Sequence, residues 1–292
     1  MKFRGHETFY IRKGWLSKGM KNIILKPELF VDKKENPMDI LGLGSNMVKS
    51  LRYWLQAVGL TEEVIRNKKK VQILTELGKR IWKNDQYIEE LGTLELLQYK
   101  LTCNKDQATS WYYFFNDFKL SEFTKEDFTT AISGYASMVG ESAALRSYDD
   151  DFNAIINTYL PRYKTGKKFD PENNIDSPFG ELGLIDIADR SKKTYKKAIP
   201  SADSLNAWVV LAVIMDQANG SKEVSLNDLL EGENNIGRVF NLDSIAMLNI
   251  LHKVEKTGII KIIRTAGLDV ISINKQFSFI ECVDNYYKEL KN

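Results

Sequence analysis

Apolar residues recur every three or four positions along much of the chain and alternate only in a few short runs, so helices should dominate and strands be brief. Met47, Leu51, Trp54, Leu55 and Val58 fall on one face of a helix that ends at Gly59. Ser45 stands where it would cap that helix, after a short helix over 37–44 broken by glycines. The opposite face is expected to present Lys49, Arg52, Tyr53 and Gln56. Val64 to Arg66 and Val71 to Ile73 then flank Asn67, Lys68, Lys69 and Lys70 as a hairpin with a basic tip, and 75–82 returns to helical spacing. Helix, turn, helix, hairpin is the order of a winged helix.

Residues 91–103, 108–118 and 125–138 read as helices, with Thr124 capping the third because Asp127 lies three residues on. Aromatic residues 111–115 could stack bases, but at this spacing they are expected in the core. A helix over 142–159 stops at Pro161, and a basic connection containing Asn and Pro runs to about 177. A hairpin-like stretch over 185–198 carries Lys192, Lys193, Lys196 and Lys197. Helices follow over 205–215, 226–230 and 242–256, and the apolar runs 259–263 and 268–273 flank Arg264, Thr265, Ala266 and Gly267 as a second clear hairpin. The expected fold is mainly α with small β-hairpins (α+β), built as tandem winged-helix units joined by a helical middle region. The boundaries are 1–84 for an N-terminal arm and basic winged-helix unit, 85–200 for a helical region with a second winged-helix-like unit, and 201–292 for a C-terminal winged-helix unit.

At 292 residues, 43% hydrophobic and 27% charged, the chain can bury a sizeable core. Its longest apolar runs, such as 208–215, fall short of the roughly 20 residues that cross a bilayer, and its first residues lack the apolar stretch of a secretory signal. With Cys103 and Cys282 as the only cysteines, a disulfide framework is excluded and a reducing cytoplasm is the expected location. The formal charge of +2 is a cancellation. Residues 1–84 hold 18 Lys and Arg against 8 Asp and Glu, 85–160 hold 5 against 13, 161–200 hold 9 against 6, and 201–292 hold 9 against 12. A lobe with that surplus suits a polyanion, since each cation that meets a phosphate releases condensed counterions. Docking of the basic lobe on the acidic one beside it is the plainer alternative.

Motifs for nucleotide hydrolysis, dinucleotide binding and zincin proteolysis are absent. His6 and His252 are the only histidines, so carboxylates would have to hold any metal, which favours Mg or Mn over Zn. Arg4, His6 and Glu7 form one cluster suited to acid–base work on a phosphodiester, against the alternative of an ordered arm that satisfies buried polar groups. Asp149, Asp150 and Asp151, with Glu141 nearby, form a second. Consecutive helical residues point about 100° apart and cannot all meet one ion, so a solvated acidic face is expected there. Asp176 and Glu181 make a third, weaker pair.

Several segments together carry a family resemblance: Phe3 to Phe9, Gly14 to Leu16, Leu43 with Asn46 to Val48, Ser50 with Arg52 to Trp54, Thr109 with Trp111 to Phe115, and Asp176 to Ile185. The chain resembles a bacterial family of unknown function, the one numbered four thousand and seven, which includes SspB-type proteins of DNA phosphorothioation and defence systems. Beyond about residue 200 the likeness thins to Gly237 to Phe240. The resemblance implies a DNA-binding component of a phosphorothioate modification and antiphage defence system. It would partner double-stranded DNA and the pathway's sulfur-transfer and ATPase proteins, and no membrane. DNA nicking is one form of that role, with Mg or Mn as cofactor; a non-catalytic winged-helix adaptor or transcriptional regulator is the other. No cofactor is identified from the residues themselves. The residues expected to meet DNA are Arg4, Ser45, Asn46, Lys49, Arg52, Tyr53, Arg66, Lys68, Lys69 and Lys70. For a nickase, His6, Glu7 and Asp151 are the catalytic candidates, Asp151 because it matches a recurrent family Asp.

Overall fold

A computed structural model describes residues 1–32, 34–66, 68–160, 177–201, 204–265 and 268–291. The chain divides into two compact units, Met1–Lys197 and Ala198–Asn292. The boundary expected near residue 84 lies inside the first of these. The reason is the N-terminal arm, which bonds forward to residues more than a hundred positions away.

The first unit opens with that arm and continues through helices α1 (Trp15–Leu25), α2 (Pro37–Leu41) and α3 (Ser45–Ala57). Strands β1 (Thr61–Arg66) and β2 (Lys69–Leu74) pair antiparallel from Thr61 with Leu74 to Arg66 with Lys69. The two-residue turn includes Lys68 at φ 63, the left-handed conformation that tight hairpins require. Then come α4 (Glu76–Asn84), α5 (Leu91–Thr102), α6 (Thr109–Asn116), strand β3 (Glu122–Phe123), α7 (Lys125–Met138) and α8 (Leu145–Tyr159). After a 3₁₀ turn at Pro178–Leu182, strands β4 (Ile185–Asp189) and β5 (Thr194–Lys197) form a hairpin, and β3 adds to it in the order β3-β5-β4. Trp54, Trp111, Phe114, Phe128, Tyr148 and Phe152 are buried in the core, and every residue of α6 is buried, as the aromatic run suggested. Each such ring contributes roughly 1.5–3 kcal/mol through burial.

In the second unit, α9 (Ala207–Ala218) is apolar on all sides because α12 (Ser244–Glu255) and α13 (Phe279–Glu289) both pack on it. Between them lie β6 (Glu223–Ser225), α10 (Leu226–Glu231) and α11 (Ile236–Val239), and the hairpin β7 (Ile260–Thr265) with β8 (Leu268–Ile273) follows α12. The strand order is β6-β8-β7.

The molecule is thus a mixed α and β protein with small antiparallel sheets. Among the described residues β1 and β2 stand as a two-stranded sheet, whereas the other two sheets have three strands. Several expected helix ends shift. The backbone of Gly44, not Ser45, caps α3, and Ser45 is its first helical residue. Apolar periodicity alone does not predict helices α1 and α13. In α1 two lysines and a glycine dilute the stripe that buries Trp15, Leu16, Met20 and Ile23. The basic connection over 161–176, Asp176 included, lies outside the described residues, as do Asn67, Ala266 and Gly267 at the two hairpin tips.

Candidate nucleic-acid interface

Helix α3 divides its residues by what covers them. Leu51, Trp54, Leu55 and Val58 are buried, as their spacing predicts, whereas Met47 is only half-buried and Val48 takes its place in the core, while Ser45, Asn46 and Lys49 are exposed near the N-terminus of α3. Lys49 reaches Asn46 Oδ1 at 3.4 Å and has no carboxylate partner among the described residues. The hairpin leaves Arg66, Lys68, Lys69 and Lys70 exposed; among the described residues Lys70 forms an ion pair, with Glu63 at 3.9 Å, and Lys69 acts at longer range on Asp32. Between helix and hairpin lies a polar fastening. Arg52 meets Glu63 Oε1 through Nε at 2.7 Å and Nη2 at 2.5 Å, Gln56 donates to the same oxygen, and Gln72 donates to Thr61 Oγ1 at 2.6 Å and to the Arg52 carbonyl. Arg52 therefore holds the hairpin against α3 instead of standing free. Elsewhere in this region Lys26 pairs with Asp32 and Glu35, and Lys79 and Arg80 pair with Glu76. Lys49 and the hairpin cations are thus among those of this region left exposed and largely without an ion-pair partner among the described residues.

Tyr53 departs from expectation: it is buried, not offered to a ligand. The arm covers it. A Cβ on Gly5 would sit 2.5 Å from the Tyr53 ring, so only glycine passes there. Burial first, and then the charge of Asp151, push the Tyr53 phenol well above its usual range.

The catalytic candidates form a different kind of site. His6 is 0% exposed and Asp151 2%. Nε2 of His6 lies 2.7 Å from Asp151 Oδ1, which also accepts the Arg4 backbone N–H at 2.8 Å, while Oδ2 accepts the Ser110 hydroxyl at 2.5 Å. The His6 ring stacks on Trp54 and meets Trp111 edge-on, and its Nδ1 has no partner. Arg4 Nε faces Asp150 Oδ2 at 2.8 Å, a charge contact whose angle falls short of a hydrogen bond. Arg4, Glu7 and Thr8 all adopt positive φ, a strained run held by these bonds and by Trp54 Nε1 donating to the Phe9 carbonyl at 2.9 Å. Glu7 is half-buried and stands outside the His6–Asp151 pair.

The acidic run is accordingly no solvated face. Asp149 pairs with Lys125, Asp150 with Arg4, and Asp151 lies in the core. Ser110, which completes the Asp151 site, carried no signal in the sequence, since its partner is 41 residues away.

No curated protein sequence matches the chain. A crystal structure of magnesium ion-bound SspB and a second SspB crystal structure each match it with a TM-score of 0.85 at 26% identity. Both alignments cover 100% of this chain and 89% of the other. The family model described as protein of unknown function DUF4007 matches residues 3–287, and the chain belongs to that family.

Proposed function

We propose that this protein is a DNA-binding component of a phosphorothioate modification and defence system, meeting duplex DNA through the start of α3 and the β1–β2 hairpin. The observation that carries this reading is the run of exposed cations Arg66, Lys68, Lys69 and Lys70 beside exposed Ser45, Asn46 and Lys49. Such a helix start and hairpin have the parts for groove entry and a backbone clamp. The likeness to SspB supports the pathway, and sulfur-transfer and ATPase proteins are its partners on this reading. The second unit runs helix, strand, helices, hairpin, the order of a winged helix, but its 201–292 segment is net acidic and is not assigned to DNA.

His6 and Asp151 are read as a structural tie, because neither reaches solvent. The magnesium-bound relative raises a metal, and the acidic run does not fit one. Each of its three carboxylates is engaged by a different partner, and no group of three His, Cys, Asp or Glu side chains converges among the described residues. No described helix is long and apolar enough to cross a membrane.

Fluorescence anisotropy with a labelled duplex tests the reading. Contacts from Lys49, Arg66, Lys68, Lys69 and Lys70 would give a slope of log K against log salt of about −4 to −5. Undetectable binding at low salt, with correctly folded protein, rejects it. Supercoiled plasmid with Mg or Mn tests nicking separately: relaxation lost in Glu7→Gln with DNA affinity intact would restore the catalytic reading.

A further inference from the structure

One cation in the first unit is buried without a counter-ion. Arg12 is 6% exposed, its Nε is enclosed with no acceptor, and it forms no ion pair among the described residues. Its guanidinium lies 5.3–6.0 Å from the ring centres of Phe9, Tyr10 and Trp15, which place it but supply no full charge. A buried charge is costly unless an opposite charge meets it.

Arg12 lines a recess of about 10 Å³ together with Lys13, Ser17 and Tyr87, room for about one oxygen-sized atom. The recess shares these last three residues with an open cleft of about 800 Å³, into which Lys18 and Lys21 also project. The start of α1 faces the same space. Gly14 caps it at φ 81 with no side chain to bond the first turn, and no acidic residue occupies that turn. The backbone N–H groups of Leu16 and Ser17 have no acceptor among the described residues, and with the helix dipole they favour an anion. Asp39 and Glu89 also line the cleft, Lys13 faces Glu181 at 4.0 Å and Lys18 donates to the Leu41 carbonyl, so the three lysines are nearly balanced by carboxylates and the surplus positive charge is that of Arg12.

We propose that this cleft binds a phosphate group, with one of its oxygens entering the recess toward Arg12 and others facing Ser17 and Lys13. Tyr87, 63% exposed on the cleft wall, and the remaining volume leave space for a nucleoside beside the phosphate. The ligand class is thus a nucleotide phosphate, free or at the end of a strand. This site shares no residue with the hairpin interface and does not depend on the DNA reading.

Titration of the full chain with inorganic phosphate and with thymidine 5′-monophosphate, by calorimetry and by melting temperature at constant ionic strength against chloride, tests the proposal. Saturable binding of both is expected, with Tm rising as ligand is added. Arg12→Gln should weaken both at least tenfold. Ser17→Asp, which puts a carboxylate where the phosphate would sit, should abolish the phosphate response while its own Tm in chloride stays at or above wild type. Tyr87→Ala should weaken the nucleotide about fivefold or more and leave inorganic phosphate unchanged. Competition by a 5′-phosphorylated oligonucleotide, and not by its unphosphorylated form, would identify a strand end as the source; its failure would identify the free nucleotide. The proposal falls if wild type shows no response beyond chloride, or if Arg12→Gln and Ser17→Asp both respond as wild type does.

Discussion

Both carboxylate oxygens of Asp151 meet partners within the chain, while at the tip of the β1–β2 hairpin three cations make no ion pair among the described residues. Both regions are rich in charge. At Asp151 one carboxylate takes a backbone N–H, an imidazole and a hydroxyl, out of reach of water. At the hairpin tip Arg66, Lys68 and Lys69 are exposed and form no ion pair among the described residues, with Lys69 acting only at longer range on Asp32. A charge that the fold has already used is poorly placed to act on a substrate, whereas unengaged charge costs nothing to redirect toward a partner. The difference therefore separates residues that hold the protein together from residues free to bind.

The largest test of this contrast is Asp151→Ala. It strands three donors at once, two of them buried, and loss of one partner from a buried pair costs about 3–5 kcal/mol. Denaturant unfolding should show that loss, and Asp151→Asn, which keeps an acceptor and adds a donor for Ser110, should recover part of it. An alanine variant as stable as wild type would mean that the arm is not anchored there. Gly5→Ala comes next. The new methyl would meet the Tyr53 ring at 2.5–2.6 Å, and overpacking of this kind costs about 1–3 kcal/mol.

Arg52 and Lys49 sharpen the comparison because they lie one turn apart on α3 but have different fates. Lys49→Glu should weaken duplex binding about tenfold with Tm unchanged, and should lower the magnitude of the salt slope by about one. Arg52→Glu breaks the contact with Glu63, so it should lower Tm as well as affinity. Equal Tm for the two variants would show that Arg52 does not fasten the hairpin.

How much of this was legible depends on sequence distance. The hairpin could be read from alternation around a basic turn, and α7 from Lys125 to Met138 with its cap, because those signals sit within a few residues. The same rule would have found α13, where Ser278 and Glu281 form a capping box. Tyr53 could not be placed, since helical spacing fixes its angle on α3 but not that the arm, through Gly5, lies over it. Likewise His6 could be singled out as chemically interesting, but its partner lies 145 residues on, and nothing local tells an acid–base pair from a tie in the core. Arg12 carries no sequence signal, because a lone arginine among aromatics makes no pattern until burial is known.

The smallest expected effect concerns charge that is engaged yet exposed, intermediate between the two regions. Asp127 closes the capping box of α7, and the backbone N–H of Thr124 first, then its hydroxyl, hold the carboxyl below its ordinary value. A group whose pKa is lowered by folding stabilises above its unfolded pKa of about 4, and that contribution disappears as pH falls through the folded value. Melting temperature followed from pH 6 downward should therefore fall less steeply in Asp127→Asn than in wild type below about pH 4. Thr124→Ala removes the reciprocal bond and should cost about 1 kcal/mol at neutral pH, a cap's usual contribution. If both variants melt as wild type does across that range, tertiary packing of Phe128, Ile132 and Ala136 alone sets the end of the helix, and exposed charge adds no measurable stability there.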